Sequence, residues 1–149
     1  MIVFKKGNLF ESECHTLVNT VNCDGVMGKG IALQFKQRYP EMFEQYKIAC
    51  KGSYLNFGGN IWIYENLNFY EPIKILCFAT KEHWWNPSKL EWIEKGLQQV
   101  ESKYVSWDLQ SIAWPKLGCN NGGLNWEDQV KPLMIKYLEP LKITNEIYE

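Results

Sequence analysis

The segment from Val18 to Lys36, VNTVNCDGVMGKGIALQFK, constrains this chain more than any other. A β-branched run reads as a buried strand, three glycines follow, and Ile31, Ala32, Leu33 and Phe35 then recur at helical spacing. Strand, glycine turn and helix in succession open an α/β unit. Backbone N–H groups at such a helix N-terminus point outward and carry partial positive charge, so the turn is suited to phosphate. The spacing GVMGKG is neither G-x-x-x-x-G-K-[ST] nor G-x-G-x-x-G, which excludes the common mononucleotide and dinucleotide signatures. A different phosphorylated ligand is expected.

The alternation continues along the chain. MIVFKK reads as a short strand ended by Gly7-Asn8, and CHTLVNTVN as a central strand reaching Asn22. The helix that follows stops near Tyr39-Pro40, because the residue before a proline avoids helical geometry. Pro40 then suits the first position of a second helix, PEMFEQYKIAC. GGNIWIYEN predicts a strand and the continuous apolar run IKILCFAT an interior one. Ser88-Lys89-Leu90-Glu91 matches a capping box ahead of the helix KLEWIEKGLQQV, and SIAWPK reads as the next strand. Asn125 is the expected N-cap of WEDQVKPLMIKYLE, a helix that Pro132 limits or kinks. Residues 1–149 are expected to form one α/β domain with helices on both sheet faces.

Composition narrows the setting. With 46% apolar and 15% aromatic residues the chain has the material for a packed core. No apolar run approaches the roughly 18 residues of a membrane span, and the N-terminus lacks a signal-peptide pattern, so no membrane partner is expected. Five cysteines without a C-x-x-C pair, and only two histidines, argue against a zinc cage or a disulfide framework. A reduced, cytoplasmic protein without a metal is expected. A net charge of −1 gives no global attraction to nucleic acid, so any such contact must be local.

In an open α/β sheet, ligands bind outside the carboxyl ends of the strands. Three such ends carry unusual residues here. Asn22 is followed by CDGVMGKG; FATKEHWW delivers Lys81 into a loop with His83, Trp84 and Trp85; WPKLGCNNGGLNW is a second glycine-rich turn. Two turns able to face a diphosphate, with a lysine between them, form a constellation.

These segments, in this order, resemble macrodomains, the ADP-ribose-binding fold, across essentially the whole chain. VNCDGVMGKGIALQFK, FATK and LGCNNGGLNW resemble the branch that contains bacterial antitoxins of the DarG type and the human terminal ADP-ribose protein glycohydrolase. The resemblance implies a three-layer α/β/α sandwich around a central mixed sheet. It further implies ADP-ribose as ligand and product, no cofactor, and a monomer. For DarG-like domains the activity is removal of ADP-ribose from thymine in single-stranded DNA, which reverses a DarT-like ADP-ribosyltransferase toxin. Such antitoxins commonly carry a further C-terminal region.

Site residues follow from the same resemblance. Gly7, Asn8 and Leu9 stand where macrodomains approach adenine, with Asn8 in place of an acidic residue. Asn22 corresponds to the asparagine near the ribose that bears the substrate bond. Gly25, Val26, Met27, Gly28, Lys29, Gly30 and Ile31 would wrap the diphosphate and that ribose. The second phosphate-facing loop would comprise Gly118, Cys119, Asn120, Asn121, Gly122, Gly123 and Leu124, with Pro115 and Leu117 leading into it. Thr80 precedes Lys81, which aligns with the catalytic lysine of the branch. The human relative pairs that lysine with an aspartate where this chain has Gly122, a glycine shared with the DNA-directed subgroup. Asn120-Asn121 is a further departure from the expected loop.

An amine at Lys81 has two available roles. It attacks the anomeric carbon to give a covalent intermediate, or it protonates the departing base. The first needs a pKa below the usual value of about 10.4, and the second needs none. His83, Trp84 and Trp85 are candidates for stacking on a flipped or single-stranded base, or else core residues. Asp24 either orients a water or the ribose, or is simply solvated. Two other readings stay open at this point: an ADP-ribose reader without catalysis, and a hydrolase of protein-linked ADP-ribose or of ADP-ribose derivatives.

Overall fold

A computed structural model describes residues 1–66, 72 and 74–149; Ile73, the expected first residue of the interior strand, lies outside the described residues. The elements run β1 (Ile2–Lys5), β2 (Thr16–Val21), α1 (Gly30–Arg38), α2 (Pro40–Lys51), β3 (Ile61–Glu65), β4 (Lys74–Ala79), α3 (Leu90–Lys103), β5 (Ser111–Trp114), α4 (Lys131–Leu138) and β6 (Thr144–Tyr148). The strands form one sheet in the order β1-β6-β5-β2-β4-β3. All neighbours are parallel except β3, which runs antiparallel to β4. The sheet is therefore mixed, as expected.

Side chains alternate across a strand, so each interior strand feeds two cores. From β4, Leu76 and Phe78 join Val18, Ile112 and Trp114 under α3 and α4, where they meet Ile93, Leu97, Met134 and Leu138. Ile75, Cys77 and Ala79 join Leu17 and Val21 on the other face, under Phe35 of α1 and Met42 and Tyr46 of α2. Burial on both faces is why IKILCFAT shows no polar alternation. The result is the α/β/α sandwich. Among the described residues no helix is long and apolar enough to cross a membrane.

Ser88 departs from expectation, and the helix after Asn125 keeps to it. Helix α3 begins at Leu90 with Lys89 as its N-cap and no capping side chain, so Ser88 is not the head of a capping box. The Ser88 N–H donates to Gly122 O at 2.9 Å, which holds Ser88 one residue outside the helix, and its Oγ is buried without a partner. Asn125 is the N-cap as expected: its Oδ1 accepts from Asp128 N at 2.8 Å. The helix opens with a wider π-turn over Trp126–Val130, in which Val130 N donates to Asn125 O, and runs directly into α4. Pro132 stands where the π-turn passes into α4, so the proline modifies the helix without ending it. Finally, β6 was not expected at all. It fills the gap between β1 and β5, with Asn145 buried and its Oδ1 accepting from Trp114 Nε1 at 2.9 Å.

Gly96 marks the closest approach of α3 to the sheet. A Cβ there would lie 2.1 Å from the Phe78 ring. Helix propensity alone favours alanine over glycine by roughly 0.5–1 kcal/mol, whereas forcing a methyl into a filled core costs about 1–3 kcal/mol. Gly96→Ala is therefore expected to lower the urea midpoint; an unchanged or raised midpoint would show that Phe78 yields freely.

Candidate functional site

Strands β5, β2 and β4 are adjacent and parallel, so their carboxyl ends lie together at one edge of the sheet. The segments after Val21, Ala79 and Trp114 converge there around a cavity of about 390 Å³. Its wall takes Asn22, Val26, Gly28, Lys29, Gly30 and Ile31 from the first loop, and Thr80, Lys81 and Trp84 from the second. Pro115, Lys116, Gly118, Cys119, Asn120, Asn121 and Gly122 supply the third side. A second compartment of about 400 Å³ adjoins it across Gly30, Ile31, Pro115, Lys116 and Asn120. Gly7, Asn8, Leu9, Phe10, Gln34 and Tyr148 complete that compartment. The crevice is thus two-lobed, with the glycine loops at its waist.

Among the described residues the wall of the first lobe holds three lysines, Lys29, Lys81 and Lys116, and no carboxylate. The N-terminus of α1 opens into it. Helix α1 has no acidic residue in its first turn and no side-chain cap, so its first N–H groups have no intrahelical partner. Gly30 begins this helix at φ +56°, and a Cβ there would stand 3.1 Å from Asn121 Nδ2. Glycine therefore serves both the left-handed backbone and the close approach of the two loops. Such a wall selects an anion.

Lys81 leaves the end of β4 with its N–H toward Val21 O at 3.4 Å. Its Nζ donates to Trp84 O at 3.3 Å. Burial first, and the positive charge of Lys29 second, hold its pKa below the usual lysine value. The cysteines of the loops are a contrast: burial pushes Cys119 up to about 11 and Cys23 up to about 12, so both stay as thiols. Among the described residues no group of three or more His, Cys, Asp or Glu is placed to hold a metal.

Asn22 is engaged with its own loop. Its Nδ2 donates to Val26 O at 2.8 Å, its Oδ1 accepts from Asp24 N at 2.9 Å, and the Tyr46 hydroxyl lies 2.9 Å from that oxygen. Asn8 Oδ1, the expected acceptor for adenine, accepts from Phe10 N at 2.9 Å and caps the short turn Leu9–Glu11. One lone pair remains on that oxygen. Met27 and Leu117 are placed elsewhere: both are fully buried in the two cores and line neither lobe. Gly25, Gly123, Leu124, His83 and Trp85 also lie outside the two linings.

Asp24 is the residue whose role the sequence hid. Its Oδ1 lies 2.9 Å from His83 Nδ1 and its Oδ2 accepts from Trp84 N at 2.9 Å. Cys23 N donates to Glu82 O at 2.9 Å beside it. The carboxylate ties the first glycine loop to the loop that carries Lys81. A lone aspartate 59 positions before its histidine gives no spacing signal for this pairing.

The sequence matches the Macro domain family over residues 18–133. It is 43% identical over 148 residues to a protein of Mycobacterium tuberculosis named DNA ADP-ribosyl glycohydrolase, covering 99% of this chain and 42% of that protein. The chain thus spans less than half the length of that relative. The solved macrodomain of Thermus aquaticus DarG superposes with a TM-score of 0.93 at 41% identity, covering 100% of this chain and 98% of that one. Thermosipho africanus DarTG, solved in complex with ADP-ribose, superposes with a TM-score of 0.92 at 36% identity, covering 99% of this chain and 41% of that one.

Gly122 is enforced by its neighbours. A Cβ there would lie 2.3 Å from Gly118 O and 2.3 Å from Ser88 Oγ, and the first of these is backbone. Even Gly122→Ala is expected to lower stability by about 1–3 kcal/mol in chemical denaturation. Gly122→Ala combined with Ser88→Gly should recover part of that loss, and no recovery would rule out Ser88 as the obstacle.

Proposed function

This chain belongs to the Macro domain family, and from that premise we propose that it is an ADP-ribosyl glycohydrolase that removes ADP-ribose from nucleobases, thymine first, of single-stranded DNA. One observation carries the reading: Lys81 stands at the end of β4 inside a two-lobed, carboxylate-free crevice that the open N-terminus of α1 also enters. ADP-ribose has the matching form, with a diphosphate between an adenosine and a second ribose. The diphosphate lies across the glycine loops at the waist, the adenosine occupies the lobe of Asn8 and Phe10, and the second ribose reaches Lys81. Relatives named DNA ADP-ribosyl glycohydrolase and DarG, and a relative solved with ADP-ribose, support the same assignment.

The depressed pKa favours Lys81 as nucleophile, because the neutral amine carries the reactive lone pair. Its Nζ forms a bond to the anomeric carbon while the carbon–nitrogen bond to the base breaks, and the base leaves with that electron pair and takes up a proton. Water then adds to the same carbon, the bond to Nζ breaks, and ADP-ribose and free lysine result. Base, ADP-ribose and enzyme account for every atom of substrate and water, and no cofactor enters. Lys116, Lys29 and the α1 N-terminus offset the diphosphate charge throughout. A DarT-like transferase is the partner whose product this activity removes, which puts the protein in the cytoplasm beside DNA, acting as a monomer.

Two outcomes check this. Lys81→Ala is expected to lower release of ADP-ribose from a thymine-modified single-stranded oligonucleotide by about 100-fold or more while ADP-ribose still binds. Tight binding with no release by the unaltered protein, from either this substrate or glutamate-modified protein, identifies a reader instead. In the pH profile of kcat/KM, which reports the free enzyme, the rising limb is set by loss of the Lys81 proton and lies below the ordinary lysine range. Lys29→Gln removes one of the two causes of that depression, so the limb should move to higher pH and activity at neutral pH should fall. A limb that stays in place would disprove the coupling.

A further inference from the structure

The chemistry just described uses Lys81 and the crevice but leaves the loop beyond Lys81 unexplained. That loop exposes Trp84 at 55% and Trp85 at 60%, although tryptophan is highly buried on average. The rings are held in place. His83 lies flat on Trp85, with centroids 4.6 Å apart and planes 8° from parallel, and Trp84 meets Trp85 edge to face at 5.7 Å. Asp24 grips both His83 Nδ1 and Trp84 N at 2.9 Å. The shelf is also joined to the catalytic lysine, since Trp84 O accepts from Lys81 Nζ. Its inner member, Trp84, lines the first lobe, and its outer member, Trp85, lies beyond that lining.

An ordered aromatic surface at the mouth of a lysine-lined cavity fits a flat, π-faced group attached to a polyanion. A nucleobase in a single strand is such a group, and bases in a duplex are already stacked on one another. The chain's net charge of −1 supplies no long-range pull on DNA, so recognition of the strand needs a local device of this kind.

We propose that Trp84 and Trp85 form a nucleobase subsite for single-stranded DNA, Trp84 against the base that carries ADP-ribose and Trp85 against its neighbour, with Asp24 holding Trp84 directly and Trp85 through the His83 ring stacked on it. The proposal rests on the DNA reading above. It puts the modified base at the mouth of the crevice, on Trp84, and the neighbouring base beyond it, on Trp85.

The test measures binding of an unmodified ten-residue thymidine oligonucleotide, with ADP-ribose saturating, to the full chain and to Trp85→Ala and Trp85→Phe. Trp85→Ala should weaken oligonucleotide binding about 5- to 150-fold, the weight of one base stacked on an aromatic ring, and Trp85→Phe should restore most of it. The dissociation constant for ADP-ribose alone should stay within twofold for all three proteins, which also certifies that they are folded. Equal oligonucleotide binding by the full chain and Trp85→Ala, or no binding by either, overturns the subsite. The two readings separate cleanly. Trp85-dependent binding with no ADP-ribose release from modified DNA keeps the shelf and refutes the activity, whereas release with Trp85-independent binding does the reverse.

Discussion

Parallel pairing of β2 with both β5 and β4 is the constraint from which the site descends. Parallel neighbours cannot be joined by tight turns, so helical crossovers must cover both faces of the sheet. That requirement makes the interior strands apolar on both sides and brings their carboxyl ends to one edge. Every residue that lines the first lobe belongs to one of those three strand ends or to the turn of α1 that follows. The hydrogen bonds of Asp24 and Cys23 act after this convergence, locking loops that the sheet has already brought together.

The electrostatics of the crevice are one-sided. Three lysines and an uncapped helix N-terminus face it, and among the described residues no carboxylate does. This arrangement suits a diphosphate, while partial burial first and the charge of Lys29 second disfavour the protonated form of Lys81. An aspartate at position 122 would reverse part of that effect. The loop has no room for one, since Gly118 O and Ser88 Oγ occupy the space a Cβ would need. Gly122 is thus a packing requirement of its own loop and of the start of α3.

Much of the architecture was legible from residue patterns: the strand, glycine turn and helix at Val18–Lys36, the two-faced apolar run of β4, and Pro40 at the start of α2. Misreadings share one cause, which is a partner distant in sequence. Ser88 has the pattern of an N-cap, but its N–H bonds to Gly122 O and the helix starts later. Strand β6 looks polar because Asn145 is buried, and that asparagine is satisfied by the Trp114 indole. Met27 and Leu117 are not misreadings of this kind: their backbones stay in the two loops while their side chains fill the cores, since a loop folding over a sheet edge turns some side chains inward.

By itself the sequence determined the order of strands and helices as far as α4, the phosphate-suited glycine turns and the presence of a lysine at a strand end. These depend on local preferences and periodicity, which neighbours along the chain decide. Tertiary structure alone decided that the crevice has two lobes, that Lys29 stands close enough to Lys81 to lower its pKa, that Asp24 ties down His83 and the exposed Trp84, and that Gly122 admits no side chain. Each of those depends on distances of a few ångströms between residues far apart in sequence, and strand register and loop packing set those distances.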